Sequence, residues 1–166
     1  LKAYLDAAER RGALAMFYLE LVSGIRKGEL VALRWEDLDV EQRTISVSKQ
    51  ALKDADNNLV VARPKTENSV RLISIPQEAV DLLIQEHAKH PSNPWLFPSS
   101  RTGGMYHPDS VATLHQRILK DAGLEHLRFH DLRHTFATLA LQNGVDIKTV
   151  SAMLGHYDAG FTLRTY

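Results

Sequence analysis

The 166 residues suit one domain or two small lobes, and 44% hydrophobic with 24% charged content fits a globular chain with a core of its own. The absence of cysteine excludes disulfides and thiolate metal sites, and no apolar run approaches the ~20 residues of a membrane helix. Twenty Lys and Arg balance twenty Asp and Glu, so the formal net charge is zero and any contact with a polyanion has to use a local basic face.

Residues 1–11 and 13–22 carry apolar side chains at helical spacing, with Gly12 as punctuation between them. Ser23-Gly24 interrupts, and a short helix follows over 27–34 with Leu30 and Leu33 on one face. The period then changes. Alternation over 44–48, 59–62 and 71–75 predicts three short strands, joined by polar connections at 53–58 and 64–70. Helical spacing returns over 77–90, and a Pro-, Ser- and Gly-rich loop covers 91–104. Pro108 opens a helix that Gly123 ends. Residues 130–142 form the next helix, with Asn143-Gly144 as its stop. Asp146 caps a shorter helix to Leu154, and 159–166 is a last helical segment. The expected fold is mainly α with a small three-stranded antiparallel sheet, an α+β domain. Leu1 already lies in a helical pattern and Tyr166 is the final residue, so the chain reads as a piece of a longer protein.

Nine cations, Arg26, Lys27, Arg34, Arg43, Lys49, Lys53, Arg63, Lys65 and Arg71, crowd one stretch and are the candidates for a basic face; solvated surface is the plain alternative. Four patterns carry chemistry. The first is Ser23-Gly24-Ile25-Arg26-Lys27-Gly28-Glu29-Leu30. The second is Pro64-Lys65-Thr66, with Arg71 opening the next strand. The third is His130-Asp131-Leu132-Arg133-His134. The fourth is Leu154-Gly155-His156, with Tyr166 ten residues on. His130 and Arg133 stand i,i+3 and share a helix face. His130 and His134 stand i,i+4 and could grip zinc, but Asp131 occupies the place where the zinc-protease pattern needs Glu; His134 is expected to hydrogen-bond within the core. Trp35, Trp95 and Phe97 are expected to pack, and His87, His90, His107, His115 and His126 receive no role.

Taken in order, the four patterns resemble the catalytic domain of tyrosine recombinases, the phage-integrase family, whose pattern runs Arg, a hairpin Lys, His-x-x-Arg, His or Trp, then Tyr. The resemblance spans nearly the whole chain and looks like a bacterial conjugative-transposon or prophage integrase. It implies a catalytic domain over 1–166, with DNA-gripping N-terminal domains and a segment after the nucleophile lying elsewhere in the protein. It implies Tyr166 as nucleophile forming a covalent 3′-phosphotyrosyl link. Arg26 and Arg133 would clamp the phosphate, and Lys65 would act as general acid. His130 would take the phenolic proton or bond the phosphate, and His156 would donate to a nonbridging oxygen. Glu29 would orient other site residues. No cofactor and no metal are implied. The implied partners are double-stranded DNA recombination sites and, in the full-length protein, a tetramer on DNA in the bacterial cytoplasm, associated with the nucleoid and not with a membrane. Type IB topoisomerase-like strand breakage and a non-catalytic DNA-binding or assembly domain on the same fold are the alternatives.

The residue types suit such chemistry. Guanidinium forks match phosphate oxygens bidentately and keep their charge. A phenol near pKa 10 ionises more easily than an alkyl alcohol, and a lysine's pKa falls readily on partial desolvation.

Overall fold

The computed structural model describes residues 2–63, 70–125, 127–142, 144, 146 and 148. Helix α1 (Lys2–Arg10) buries Tyr4, Ala7 and Ala8 on one face. Gly12, at a positive φ of 71°, then turns the chain, and Ala13 donates its N–H back to the Ala8 carbonyl at 2.9 Å. Helix α2 (Leu14–Ser23) is buried almost all round, from Ala15 to Ser23, and packs against α1, against α4 (Gln77–Ala88) and against α6 (Leu132–Gln142). A helix apolar on every side belongs in the middle of a core. Helix α5 (Pro108–Asp121) completes the layer against α1, with Pro108 in its first turn and the His107 ring accepting the Asp109 N–H at 3.1 Å. Among the described residues no helix is long and apolar enough to cross a membrane.

The strands divide differently from the expectation. A three-stranded antiparallel sheet forms from β1 (Leu38–Asp39), β2 (Thr44–Val47) and β5 (Arg71–Ser74), with β2 in the centre and Ile45 facing Ile73. Ile45 and Val47 point into the core, as the alternation requires. The run at 59–62 does not join this sheet. It is β4 (Leu59–Ala62) of a separate hairpin with β3 (Gln50–Lys53), closed by a turn in which Asp54 accepts the N–H groups of Asp56 and Asn58, both at 2.9 Å, while Asn57 takes a left-handed φ of 64°. Strand β3 was missed because only Ala51 of its four residues is buried. As a result β4 and β5 pair with different partners, so the expected hairpin at 64–70 has no ladder between its flanking strands.

The inserted hairpin has a structural task. Helix α3 (Lys27–Val31) packs on β3, and a Cβ placed on Gly28 would lie 2.7 Å from the Ala51 carbonyl oxygen. The loop after α4 is likewise fastened. Trp35 donates its N–H to the Pro94 carbonyl at 2.8 Å, and Leu96 donates to Leu33 at 3.0 Å, with Leu96 and Phe97 buried. Trp35 and Trp95 are half-buried. Packing roles therefore hold for all three aromatics.

Gly28→Ala should invert the usual helix preference. Alanine ordinarily gains about 1 kcal/mol over glycine in a helix. Here α3 has to shift off β3, and a net loss of roughly 1–3 kcal/mol is expected. Thermal unfolding should show it as a lower Tm; an unchanged or higher Tm would contradict the close approach.

Candidate active site

The first motif is built from the end of α2. Gly24 takes a left-handed φ of 65° and returns its N–H to the Glu20 carbonyl at 2.8 Å, which stops the helix. Ser23 caps inward, its hydroxyl donating to the Leu19 carbonyl at 2.6 Å. Ile25 is buried, and the chain then runs extended through Arg26 (φ −69°, ψ 147°) into α3. Burial of Ile25 fixes the direction of its neighbour, so the Arg26 side chain stands in solvent.

Glu29 sits in the first turn of α3, where a carboxylate suits the helix dipole. Its Oε1 accepts the Arg26 N–H at 3.1 Å. Both oxygens are gripped by Arg71, the first residue of β5, at 2.8 and 2.9 Å. Burial by itself pushes the Glu29 carboxyl up. The Arg71 hydrogen bonds, the Arg26 N–H and the charges of Arg71 and Arg26 outweigh it and hold Glu29 below the usual carboxylate range. The fork ties the Arg26 turn to the strand that follows the Lys65 segment. Glu29 thus bonds both the Arg26 turn and β5, and Arg71 is the partner that the sequence named only as a strand opening.

His130 lies in a single 3-10 turn (Phe129–Asp131), and Arg133 lies in the first turn of α6. Both belong to described backbone; their side chains lie outside the described residues. The turn is braced by the Arg128–Asp131 ion pair at 3.1 Å and by Phe129, whose ring meets Phe17 of α2 edge-on at 5.8 Å. The two motifs are thus moored to one helix: Phe17 holds the His130 turn, and the end of α2, about 9 Å further along its axis, leads into Arg26. Lys65, His156 and Tyr166 lie outside the described residues, as do the expected helices over 146–154 and 159–166 apart from isolated positions. His134 departs from expectation. It is exposed on α6.

Four of the eight described members of this cation set have acidic partners. Arg34 stacks over Trp95 at 4.9 Å and pairs with Glu36 at 3.5 Å. Lys49 meets Asp37 at 3.3 Å in a largely buried pair. Lys53 meets Asp109 at 3.7 Å, and Arg71 meets Glu29. Among the described residues, Arg26, Lys27, Arg43 and Arg63 are the members of this set without an ion pair.

Sequence reasoning gave His115 no role, yet it is fully buried. The signal was present: Val111, His115, Ile118 and Leu119 fall on one helix face, which places the imidazole among core residues.

Arg71→Gln tests the fork through pH. Because the folded pKa of Glu29 is depressed, its contribution is complete above the unfolded value near 4.3 and disappears as pH falls through the folded pKa. The variant should lose about 1 kcal/mol at pH 7, a value reduced by solvent at the half-exposed arginine. The gap to the parent protein should close towards pH 3 in denaturant titrations. A gap independent of pH would contradict the assignment.

The chain matches the model of the phage integrase family over residues 2–166. It is similar to a tyrosine recombinase XerC-like protein of Caldanaerobacter subterraneus subsp. tengcongensis, 29% identical across 100% of this chain and 48% of the relative. It is similar to the ICEBs1 integrase of Bacillus subtilis, 31% identical across 90% of this chain and 43% of the relative. The chain therefore spans about half the length of the curated relatives it matches. Among solved structures, the Tn1549 transposon integrase in complex with a circular intermediate DNA has a TM-score of 0.73 at 23% identity, covering 99% of this chain and 58% of that one. XerA recombinase has a TM-score of 0.66 at 25% identity, covering 99% and 56%. These likenesses bear out the α+β fold with its small antiparallel sheet, and the match over nearly every residue means that the chain belongs to the phage integrase family.

Proposed function

We propose that residues 1–166 serve as the catalytic domain of a site-specific DNA recombinase that cuts and rejoins strands through a 3′-phosphotyrosyl intermediate. The observation that supports it is the family match over 2–166 together with the right residue type at every expected position: Arg26, Lys65, His130, Arg133, His156 and Tyr166. The geometry around Arg26 adds to it. A guanidinium free of ion pairs among the described residues, held on a rigid turn, is available to an external anion.

In this reading the Tyr166 phenol attacks a backbone phosphorus and gives its proton to His130. The P–O5′ bond breaks, and Lys65 protonates the departing oxygen. Arg26 and Arg133 meet the charge that grows on the nonbridging oxygens, and His156 adds a hydrogen bond there. The energy of the broken bond is kept in the phosphotyrosine. A 5′-hydroxyl from another strand then reverses the step, so neither a nucleotide nor a metal is needed. The partner is double-stranded DNA bearing recombination sites, and the whole protein works as a tetramer on that DNA. Names among the relatives, an integrase and a transposon integrase in complex with DNA, favour this over topoisomerase-like relaxation.

Nicked DNA carrying the element's own junction traps the intermediate. A denaturing gel should show a protein–DNA adduct that is insensitive to EDTA and missing for Tyr166→Phe. Arg26→Ala should slow its formation by roughly 10²–10³-fold, as for other lost donors to a developing oxyanion. An adduct that survives Tyr166→Phe would overturn the nucleophile assignment.

A further inference from the structure

One buried polar group is used neither by the apolar core nor by the proposed chemistry. His115 of α5 is fully enclosed, and both ring nitrogens have partners. Nε2 lies 2.7 Å from the Leu127 carbonyl oxygen and Nδ1 lies 2.8 Å from the Tyr4 hydroxyl. A carbonyl can only accept, so Nε2 carries the hydrogen. In the neutral ring Nδ1 is then a lone pair that accepts the Tyr4 O–H, a single tautomer that both contacts suit. Burial and the Glu20 carboxylate push the Tyr4 phenol up, which keeps it a donor.

The ring is held as firmly as its nitrogens. Phe129 meets it edge-on at 5.6 Å, Phe17 stacks at 6.2 Å and Tyr4 lies at 5.7 Å. His115 therefore grips the chain on both sides of Arg128: the carbonyl of Leu127 by a hydrogen bond and the ring of Phe129 by contact. His130 follows directly, and Arg133 lies one turn on. Gln116 reaches the same carbonyl at 3.2 Å, so that oxygen is fixed from two positions of α5. A leucine or phenylalanine at 115 would fill the volume but leave Tyr4 without its acceptor and the Leu127 carbonyl with the weaker bond alone.

We propose that His115 is a positioning residue for strand cleavage, its Nε2–H tautomer fixing the Leu127–Phe129 backbone that presents His130 and Arg133. The proposal rests on the strand-transfer reading for its consequence, but not for its geometry. Glutamine can place an amide N–H where Nε2 stands, whereas phenylalanine keeps the volume and no donor.

The test uses the intact protein labelled with ¹⁵N in histidine. The ring nitrogens of His115 should report a protonated Nε2 and a hydrogen-bonded, unprotonated Nδ1. The His130 ring signals should move in His115→Phe and stay near their parent positions in His115→Gln. In the trapped-adduct assay at saturating DNA, His115→Gln should cleave within about threefold of the parent and His115→Phe should be slower by ~10-fold or more, with DNA affinity unchanged. If His115→Phe does not fold, Tyr4→Phe is the substitute: it keeps the imidazole but frees the tautomer, and a mixture of tautomers with slower cleavage is expected. A protonated Nδ1 in the parent, or equal cleavage by the Gln and Phe variants per folded molecule, would overturn the proposal. Should the parent form no adduct at all, the strand-transfer reading fails, and unmoved His130 signals in His115→Phe would separately refute the positioning role.

Discussion

Arg26 is fixed by a close approach between two pieces of backbone. The first turn of α3 lies so near the Ala51 carbonyl that residue 28 has no room for a side chain. That contact sets the depth of α3, and the depth of α3 sets where Arg26 emerges. A guanidinium that stabilises a transition state must already be in place when charge develops, since reorganising it during reaction would cancel the gain. The inserted β3–β4 hairpin, the left-handed Gly24 and the buried Ile25 all serve the same end, holding one exposed cation on a rigid base.

Part of the charge in this domain is engaged within the domain itself. Lys49, Lys53, Arg34 and Arg71 each have an acidic partner, and the Lys49–Asp37 pair is largely shielded from water. Net stabilisation from such pairs is small, because desolvation offsets much of the attraction in the buried one and water screens the exposed ones. A formal charge of zero is then compatible with an anion site built on an unpaired cation, and in the proposed reading Arg26 is that cation. The Glu29–Arg71 fork shows how this is arranged: the carboxylate beside Arg26 is committed to a second arginine, which leaves Arg26 itself unclaimed.

The helices were legible because their apolar periods are long and end on glycine or proline. The boundaries at Gly12, Gly24 and Pro108 follow directly from residue type. The central strand β2 was equally legible from its alternation. The sheet partners were not. Strand β3 buries one side chain and β1 is two residues long, so neither leaves a periodic trace, and β4 pairs with the untraced β3 in a local hairpin instead of with β5. At the site, spacing identified Arg26 and Glu29 as neighbours. It did not reveal Arg71 as the partner of Glu29, 42 residues away, or His115 as the brace behind His130, because a bond from a ring nitrogen to a backbone carbonyl leaves no mark in residue spacing. His134, expected in the core, faces solvent.

The central claim is spatial: six side chains from four separated motifs surround one phosphorus atom. A structure of the intact protein bound to a nicked recombination site measures this directly. The account predicts that Arg26, Lys65, His130, Arg133 and His156 all lie within hydrogen-bond reach of a single phosphate, with the Tyr166 oxygen in line opposite the 5′-oxygen. A complex in which Arg26 and Arg133 contact different phosphates would contradict it.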